Sequence, residues 1–210
     1  MSRHRFHGDP ARFEVVAEFV DGRFPDARYV ADVAGGQGML TRLLRKRYGY
    51  EAELIDPRGW SLKGVPVRVE DFDASMADYY DLVIGLHPDE ALRSVVQSAG
   101  RTATLVVPCC NFWSAETKLG RDELIEQIID FHNQRGGKSE HIVLDFLGPK
   151  NHALILLPPA ETSPKSLPSP TGEGGSRRSG TAEPRTAEAR CRCRGGAVGD
   201  RLRRPRRSLP

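Results

Sequence analysis

The chain has 210 residues, of which 39% are hydrophobic and 28% charged, so it can hold one ordinary α/β domain but not two large ones. No run approaches the roughly 20 consecutive apolar residues of a membrane span, and the N-terminus lacks the apolar stretch of a secretory signal, which predicts a cytoplasmic protein without a membrane partner. The net charge of +3 is uneven, because residues 1–158 carry −4 and residues 159–210 carry +7.

The predicted elements alternate between apolar runs and helical stripes along the chain. Helices are predicted over 10–24, 40–48, 88–99 and 122–133, and strands over 29–33, 52–55, 65–69, 82–85, 102–107, 141–147 and 152–157. Gly148 to Asn151 join the last two strands, which indicates a hairpin. Alternating strands and helices predict a three-layer αβα sandwich around a seven-strand, mostly parallel sheet that ends in an antiparallel pair.

Three domains are predicted. Residues 1–26 form an N-terminal helix with a basic arm, and residues 27–158 form a ligand-binding domain. Residues 159–210 are rich in Pro, Gly, Ser and Arg with almost no large apolar residue, so they are expected to be a disordered basic tail. An arginine-rich tail could hold RNA phosphates, but a tail without function is the preferred interpretation.

The most informative segment is a glycine-rich turn between the first strand and the second helix. It contains Ala34, Gly35, Gly36, Gln37 and Gly38. Glycines let the backbone turn sharply and approach a ligand closely, while free amides at a helix start face it. A tight strand-to-helix connection without a ligand remains an alternative at this point.

Acidic residues follow the next two predicted strands. Asp56 ends the second strand and could accept hydrogen bonds from both hydroxyls of a ribose. Asp71 and Phe72 follow the third strand, where a carboxylate could accept from an adenine amino group beside an aromatic ring. Strand ends of an open α/β sheet meet at one edge, so these side chains are expected near the glycine turn.

In these features the sequence resembles the class I S-adenosylmethionine-dependent methyltransferases, which have a Rossmann-like fold. The resemblance covers about residues 27–158, and the family's first motif glycine is replaced by Ala34. It implies S-adenosylmethionine as the cofactor, with Asp32 near its methionine end and residues 34–38 around it. It also implies that Asp56 binds the ribose and that Asp71 and Phe72 bind the adenine.

Two rival functions remain open. A nicotinamide dinucleotide site requires a third small residue after Gly36 and Gly38, but Thr41 stands there, so a dehydrogenase is disfavoured. A nucleotide-binding module or partner subunit without catalytic activity is the other alternative.

The motifs after the fourth and fifth strands are expected at the acceptor side. Gly85-Leu86-His87 and Pro108-Cys109-Cys110 resemble a subset of this family that includes tRNA ribose methyltransferases. Leu86 is expected at the cofactor. His87 is a candidate general base, with a helix-start or solvent-facing role as the equal alternative.

The residues that follow the fifth strand give weaker indications. Asn111 is expected to take part in catalysis with His87, and Asn111 with the aromatic pair beside it could hold a flat base or could equally cover the core. Cys109 and Cys110 are expected to be small buried hydrophobes, and the spacing of the four cysteines predicts no metal site. The resemblance implies methyl transfer to an oxygen or nitrogen, with RNA as the leading acceptor and a small molecule as the alternative. The oligomeric state is not predicted.

Overall fold

A computed structural model describes residues 8–110, 112–114, 116–117 and 119–160. The α-helices are α1 (Arg12–Arg23), α2 (Met39–Arg47), α3 (Leu92–Ser98) and α4 (Arg121–Asn133). The strands are β1 (Tyr29–Val33), β2 (Glu51–Ile55), β3 (Val67–Arg68), β4 (Leu82–Leu86), β5 (Ala103–Val107), β6 (Lys138–Val143) and β7 (His152–Leu157). Short 3-10 helices cover Ala74–Tyr79 and Asp89–Ala91. The predicted arm at residues 1–7 and nearly all of the predicted tail lie outside the described residues.

The seven strands form one sheet with the order β3-β2-β1-β4-β5-β7-β6. Strands β1 to β5 are parallel to their neighbours, and β7 runs antiparallel to both β5 and β6. From β1 the chain builds the sheet outward through β2 to β3, and it then returns to the other side of β1 to form β4 and β5. The strand order therefore reverses between β1 and β4. Ligands bind at such switch points in open α/β sheets, beyond the carboxyl ends of the strands.

Helices cover both faces of the sheet. Val30 of β1 packs in a core cluster with Val16 of α1 and Leu44 of α2, whereas the next residue, Ala31, packs in a second cluster with Val95 of α3. Successive strand residues point to opposite faces, so a strand buried on both sides reads as a continuous apolar run. The predicted three-layer αβα Rossmann-like sandwich is confirmed.

The predicted ends of some elements are wrong. Strand β3 has only two residues, because it is the edge strand and Val69 is exposed. The helix predicted from Pro88 begins with a 3-10 turn, and the α-helix starts only at Leu92.

The hairpin at the end of the described region differs from the prediction in its first strand. Strand β6 ends at Val143, four residues before the predicted end. Leu144 and Phe146 leave the sheet and bury their side chains in the cluster beneath α1 and α2. The connection to β7 is therefore a long loop over residues 144–151, and it brings Leu147 to Lys150 to the carboxyl ends of the strands. No helix in the described part of the chain is long and apolar enough to cross a membrane.

Candidate functional site

The glycine turn takes a left-handed path from β1 into α2. Ala34, Gly36 and Gly38 have φ values of 53°, 63° and 73°, a conformation that costs an L-residue with a Cβ roughly 1–2 kcal/mol. The amide of Ala34 donates to the carbonyl of Ile55 at the end of β2 (2.8 Å). The N-cap residue of α2, Gly38, has no side chain to cap the helix, and Asp32 accepts from the amide of Thr41 in the first turn.

Asp32 lies directly beneath this turn and is fully buried. Its Oδ2 accepts hydrogen bonds from the amide and hydroxyl of Thr41, at 3.1 and 2.7 Å. A Cβ at Gly35 would lie 2.5 Å from both carboxylate oxygens, so only glycine permits this approach. Oδ1 of Asp32 is buried without a hydrogen-bond partner, and burial raises the pKa of Asp32 to about 6.

Asp56 connects the same turn to the end of β2. Its Oδ2 accepts from the amide of Gly36 (2.9 Å) and from Nη2 of Arg58 (2.6 Å), and Oδ1 accepts from the amide and Nε of Arg58. Burial raises the pKa of Asp56, but hydrogen bonds and the charge of Arg58 outweigh it, so the pKa lies below its ordinary value. The carboxylate is therefore ionised and already saturated by Arg58.

A cavity of about 730 Å³ opens above the turn and extends across the ends of β1, β4 and β5. This volume lies in the usual range for small-molecule and cofactor sites. One part is lined by predicted residues: Asp32, Ala34, Gly35, Gly36, Gln37 and Leu86. Gln37 offers a second buried polar atom without a partner, its Oε1.

Other parts of the cavity wall come from residues that the sequence analysis missed. The segment from Gly8 to Phe13 forms one side and residues 146–150 form another. Oδ2 of Asp9 accepts from the amide of Leu147 (2.8 Å), which connects these two segments. Arg58 and Trp60 line the cavity beyond β2, and the side chain of Trp60 is 72% exposed.

His87 lies at the far end of the cavity, directly after β4. Its φ of 58° is left-handed, a strained conformation for a side chain of this size. Its Nε2–H donates to the carbonyl oxygen of Lys150 (2.9 Å), and its ring meets Phe146 edge-on. Burial lowers the pKa of His87 below 6.5, and the nearby charge of Arg12 lowers it further. The imidazole is therefore neutral at pH 7.

Three chemically reactive side chains lie beside His87 on the cavity wall: Asp89, Cys109 and Cys110. Cys109 is half-buried and Cys110 is exposed, so the expectation of two buried thiols is wrong. Both thiols follow β5 and project at its carboxyl end rather than into the core.

Several predicted residues are not brought to the cavity wall. Asp56 is fully buried behind the glycine turn and does not line the cavity, although Arg58, which binds it, does. Asp71 is exposed and Phe72 is buried in the core cluster that includes α3 and α4, and neither lines the cavity. Gly38 lies against the side chain of Val65, because a Cβ added at Gly38 would be only 2.7 Å from it. Asn111, predicted to act with His87, lies outside the described residues.

Some missed residues carried a signal in the sequence. Arg58 and Trp60 follow Asp56 in the loop after a predicted strand, which is where ligand contacts concentrate in open α/β sheets. The sequence gives no signal for Asp9 and Leu147, because 138 residues separate them and neither lies in a motif.

Comparisons with known proteins find similarity only at the level of structure. No protein-family model matches the sequence, and no curated protein matches it. The sugar N-methyltransferase KedS8 from Streptoalloteichus sp ATCC 53650 superimposes on 76% of this chain and 96% of its own, with 16% identity and a TM-score of 0.47. The methyltransferase domain of bacterial CtHen1 covers 70% of this chain and 97% of its own, with 12% identity and a TM-score of 0.49.

The plantazolicin methyltransferase BpumL, solved with S-adenosylhomocysteine (SAH), covers 71% of this chain and 86% of its own, with 14% identity and a TM-score of 0.45. At these identities a likeness concerns the fold alone, and these TM-scores carry no argument about what the cavity binds.

Proposed function

We propose that this chain is an S-adenosylmethionine-dependent methyltransferase that acts on a small molecule. The observation that carries the proposal is the arrangement of Asp32 and the glycine turn along one part of the cavity, with Asp56 buried behind the turn and bonded to the amide of Gly36. A buried acid with an orphaned oxygen, a turn that approaches it closely and a second buried acid together suit an adenosine ligand with a cationic end.

The described residues fit the cofactor in two respects. Oδ1 of Asp32 and Oε1 of Gln37 are buried acceptors with no hydrogen-bond partner among the described residues, and buried polar groups normally have one. They could accept from an ammonium group. The open space above Gly36, where a Cβ would meet nothing within 4 Å, leaves room for a ligand against the backbone. When bound, the cofactor supplies a methyl group activated by a sulfonium.

The remaining roles belong to the chain's own groups. Asp56 would accept ribose hydroxyl protons after Arg58 gives up part of its contact. His87, neutral at pH 7 because of its lowered pKa, would accept the proton that an oxygen or nitrogen acceptor loses. The segments that include Asp9 and Leu147 would exclude water and orient the acceptor, and orientation alone can lower a barrier by about 7–11 kcal/mol.

A small acceptor suits the cavity better than the RNA that the sequence analysis favoured. The wall near His87 combines apolar side chains such as Phe13 and Phe146 with both charge signs, including Asp9 and Lys150. Residues 1–158 are net acidic, whereas phosphate contacts from basic side chains dominate nucleic-acid affinity.

Isothermal titration calorimetry of the full chain tests the cofactor. We expect SAH to bind at micromolar concentration, NADH not to bind, and Asp56→Ala to abolish SAH binding. Asp78→Asn, which changes an exposed acid that pairs with Arg101, is the matched control. NADH binding in place of SAH would overturn the proposal.

Incubation with methyl-labelled cofactor tests the acceptor. Label should enter a small-molecule extract and not total cellular RNA, and Asp56→Ala should abolish it. Label confined to RNA would restore RNA as the acceptor, and no label in any pool despite SAH binding would favour the silent partner subunit.

A further inference from the structure

Asp89, Cys109 and Cys110 form a compact cluster on the cavity wall. One ligand atom from each, a carboxylate oxygen and two sulfurs, lies within 4.8 Å of the others. Strands β4 and β5 are parallel neighbours with Leu86 opposite Val107, so the residues just beyond both strands meet at the same edge. The sequence spacing of the cysteines predicted no metal site, because the third group comes from a different strand.

The geometry of the cluster suits a tetrahedral ion. Sγ of Cys109 donates to Oδ1 of Asp89 at 3.2 Å. In a tetrahedral zinc site with bonds of about 2.3 Å to sulfur and about 2.0 Å to oxygen, these two atoms stand roughly 3.5 Å apart. Asp89 has a left-handed φ of 45°, a conformation that Asp adopts more readily than most residues.

The surroundings of the two sulfurs differ, because burial and the carboxylate of Asp89 raise the pKa of Cys109, so that a bound ion would have to displace its proton, whereas a cation lies beside Cys110. Nζ of Lys150 lies 3.5 Å from Sγ of Cys110, and Arg58 is close enough to Asp89 to feel its charge. Two thiolates and a carboxylate would leave a zinc complex with one negative charge, which these cations offset. Groups that hydrogen-bond to metal ligands orient them and tune the metal.

We propose that Asp89, Cys109 and Cys110 bind a thiophilic divalent cation of the zinc type, with one coordination position open to the cavity. Binding replaces the two S–H protons, which pass to solvent, and forms two metal–sulfur bonds and one metal–oxygen bond without a change of oxidation state. Three protein ligands and one exchangeable position are typical of catalytic rather than structural zinc sites.

The role of this ion rests on the proposed function. All three ligands line the same cavity as Asp32 and the glycine turn, so an acceptor hydroxyl or thiol could fill the open position. The cation would lower the pKa of that group and make it nucleophilic beside His87. The predicted substrate class is therefore a small molecule with a hydroxyl or thiol at the methylated atom.

Cobalt(II) titration of the reduced full chain tests the metal site without any cofactor. Thiolate ligands give cobalt(II) an intense near-ultraviolet charge-transfer band, whose intensity follows the number of bound sulfurs. The titration uses a Cys191→Ser/Cys193→Ser background, because those two cysteines outside the described residues could also bind cobalt. We expect a saturable band that zinc abolishes by displacement.

Variants assign the band to the cluster. Cys109→Ser and Cys110→Ser should each lose about half of its intensity, and the double variant should lose all of it. Asp89→Asn should keep the intensity but require about tenfold more metal, by analogy with the losses seen when metal-site groups are removed. Glu90→Gln, the exposed neighbour of Asp89, is the matched control and should behave as the background protein. Circular dichroism confirms that each variant is folded.

The outcomes separate this inference from the proposed function. A band that is absent from the background protein, or that survives in the Cys109→Ser/Cys110→Ser variant, overturns the metal site. SAH calorimetry on the background protein, with all three cluster residues intact, tests the proposed function separately. If the protein binds cobalt as predicted but never binds SAH, the metal site is supported and the proposed methyltransferase function is overturned.

Discussion

The backbone amide of Gly36 donates a hydrogen bond of 2.9 Å to Oδ2 of Asp56, which stands 20 positions further along the chain. This bond fixes the glycine turn to the end of β2. The same carboxylate is held by the guanidinium of Arg58 in a two-point contact, so a ribose must compete with Arg58 for Asp56.

Arg58→Ala is therefore expected to tighten SAH binding by about threefold to tenfold, since about 0.7–1.4 kcal/mol of competing interaction would be removed. Calorimetry measures the affinity. Arg68→Ala removes an arginine that pairs with Glu53 on the surface and should leave the affinity unchanged. Weaker binding by Arg58→Ala would mean that Arg58 holds the ligand rather than competing with it.

Asp32 makes the stability of the ligand-free protein depend on pH. Its pKa of about 6 in the folded chain lies above the ordinary 3.8, so the folded state holds its proton more tightly than the unfolded state. The free energy of unfolding should fall as the pH rises from about 4 to about 6. Asp32→Asn should remove this fall and raise the free energy of unfolding at pH 7.5 by roughly 2–3 kcal/mol.

Urea denaturation at pH 4.5 and pH 7.5 measures the effect of Asp32→Asn. Asp71→Asn removes a charge from an exposed position and should change neither value appreciably. An Asp32→Asn protein that is equally destabilised at both pH values would mean that packing against Thr41, rather than burial of charge, dominates this position.

Gly35→Ala should separate close approach from backbone strain. A Cβ at Gly35 would lie 2.5 Å from the carboxylate of Asp32, so the turn must shift, at a cost of about 1–3 kcal/mol. SAH affinity should fall at least tenfold. Gly49→Ala introduces strain at a φ of 77° with no atom nearby, so it should cost about 1–2 kcal/mol and leave SAH affinity intact. Thermal denaturation and calorimetry give both quantities.

Asp71 tests how the adenine is held. The resemblance implies that Asp71 binds the adenine, yet its exposed side chain does not line the cavity. Asp71→Asn should therefore leave SAH affinity within about twofold of the unchanged protein, a difference of roughly 0.4 kcal/mol. A tenfold loss in calorimetry would instead support the role predicted from the sequence.

His87 should determine the acid side of the pH–rate profile. Because its pKa lies below 6.5, the imidazole is neutral at pH 7 and gains a proton only as the pH falls further. The rate of methyl transfer should thus be level near neutrality and fall below that pKa. His87→Asn should lower kcat about 10²–10⁴-fold, as expected for loss of a general base, and abolish the acid limb. An unchanged profile would assign His87 to holding Lys150 instead.

The sequence by itself determined the order of the strands and helices and the position of the glycine turn. Both are local properties: the apolar period of a segment reports which element it forms, and glycines between Val33 and Met39 report a left-handed path. The ends of the strands were less well determined. Val69 and Leu144 are apolar whether they extend a strand or leave it, and only their neighbours in space decide whether the strand continues.

Only the tertiary structure decided which side chains share the cavity. The contacts of Gly36 with Asp56, of Asp9 with Leu147 and of Asp89 with Cys109 join separate segments of the chain. They depend on which strands lie side by side and on the path of the loop over 144–151. The periodicity of a segment reports its own conformation and burial, but not the identity of the side chain across the cavity.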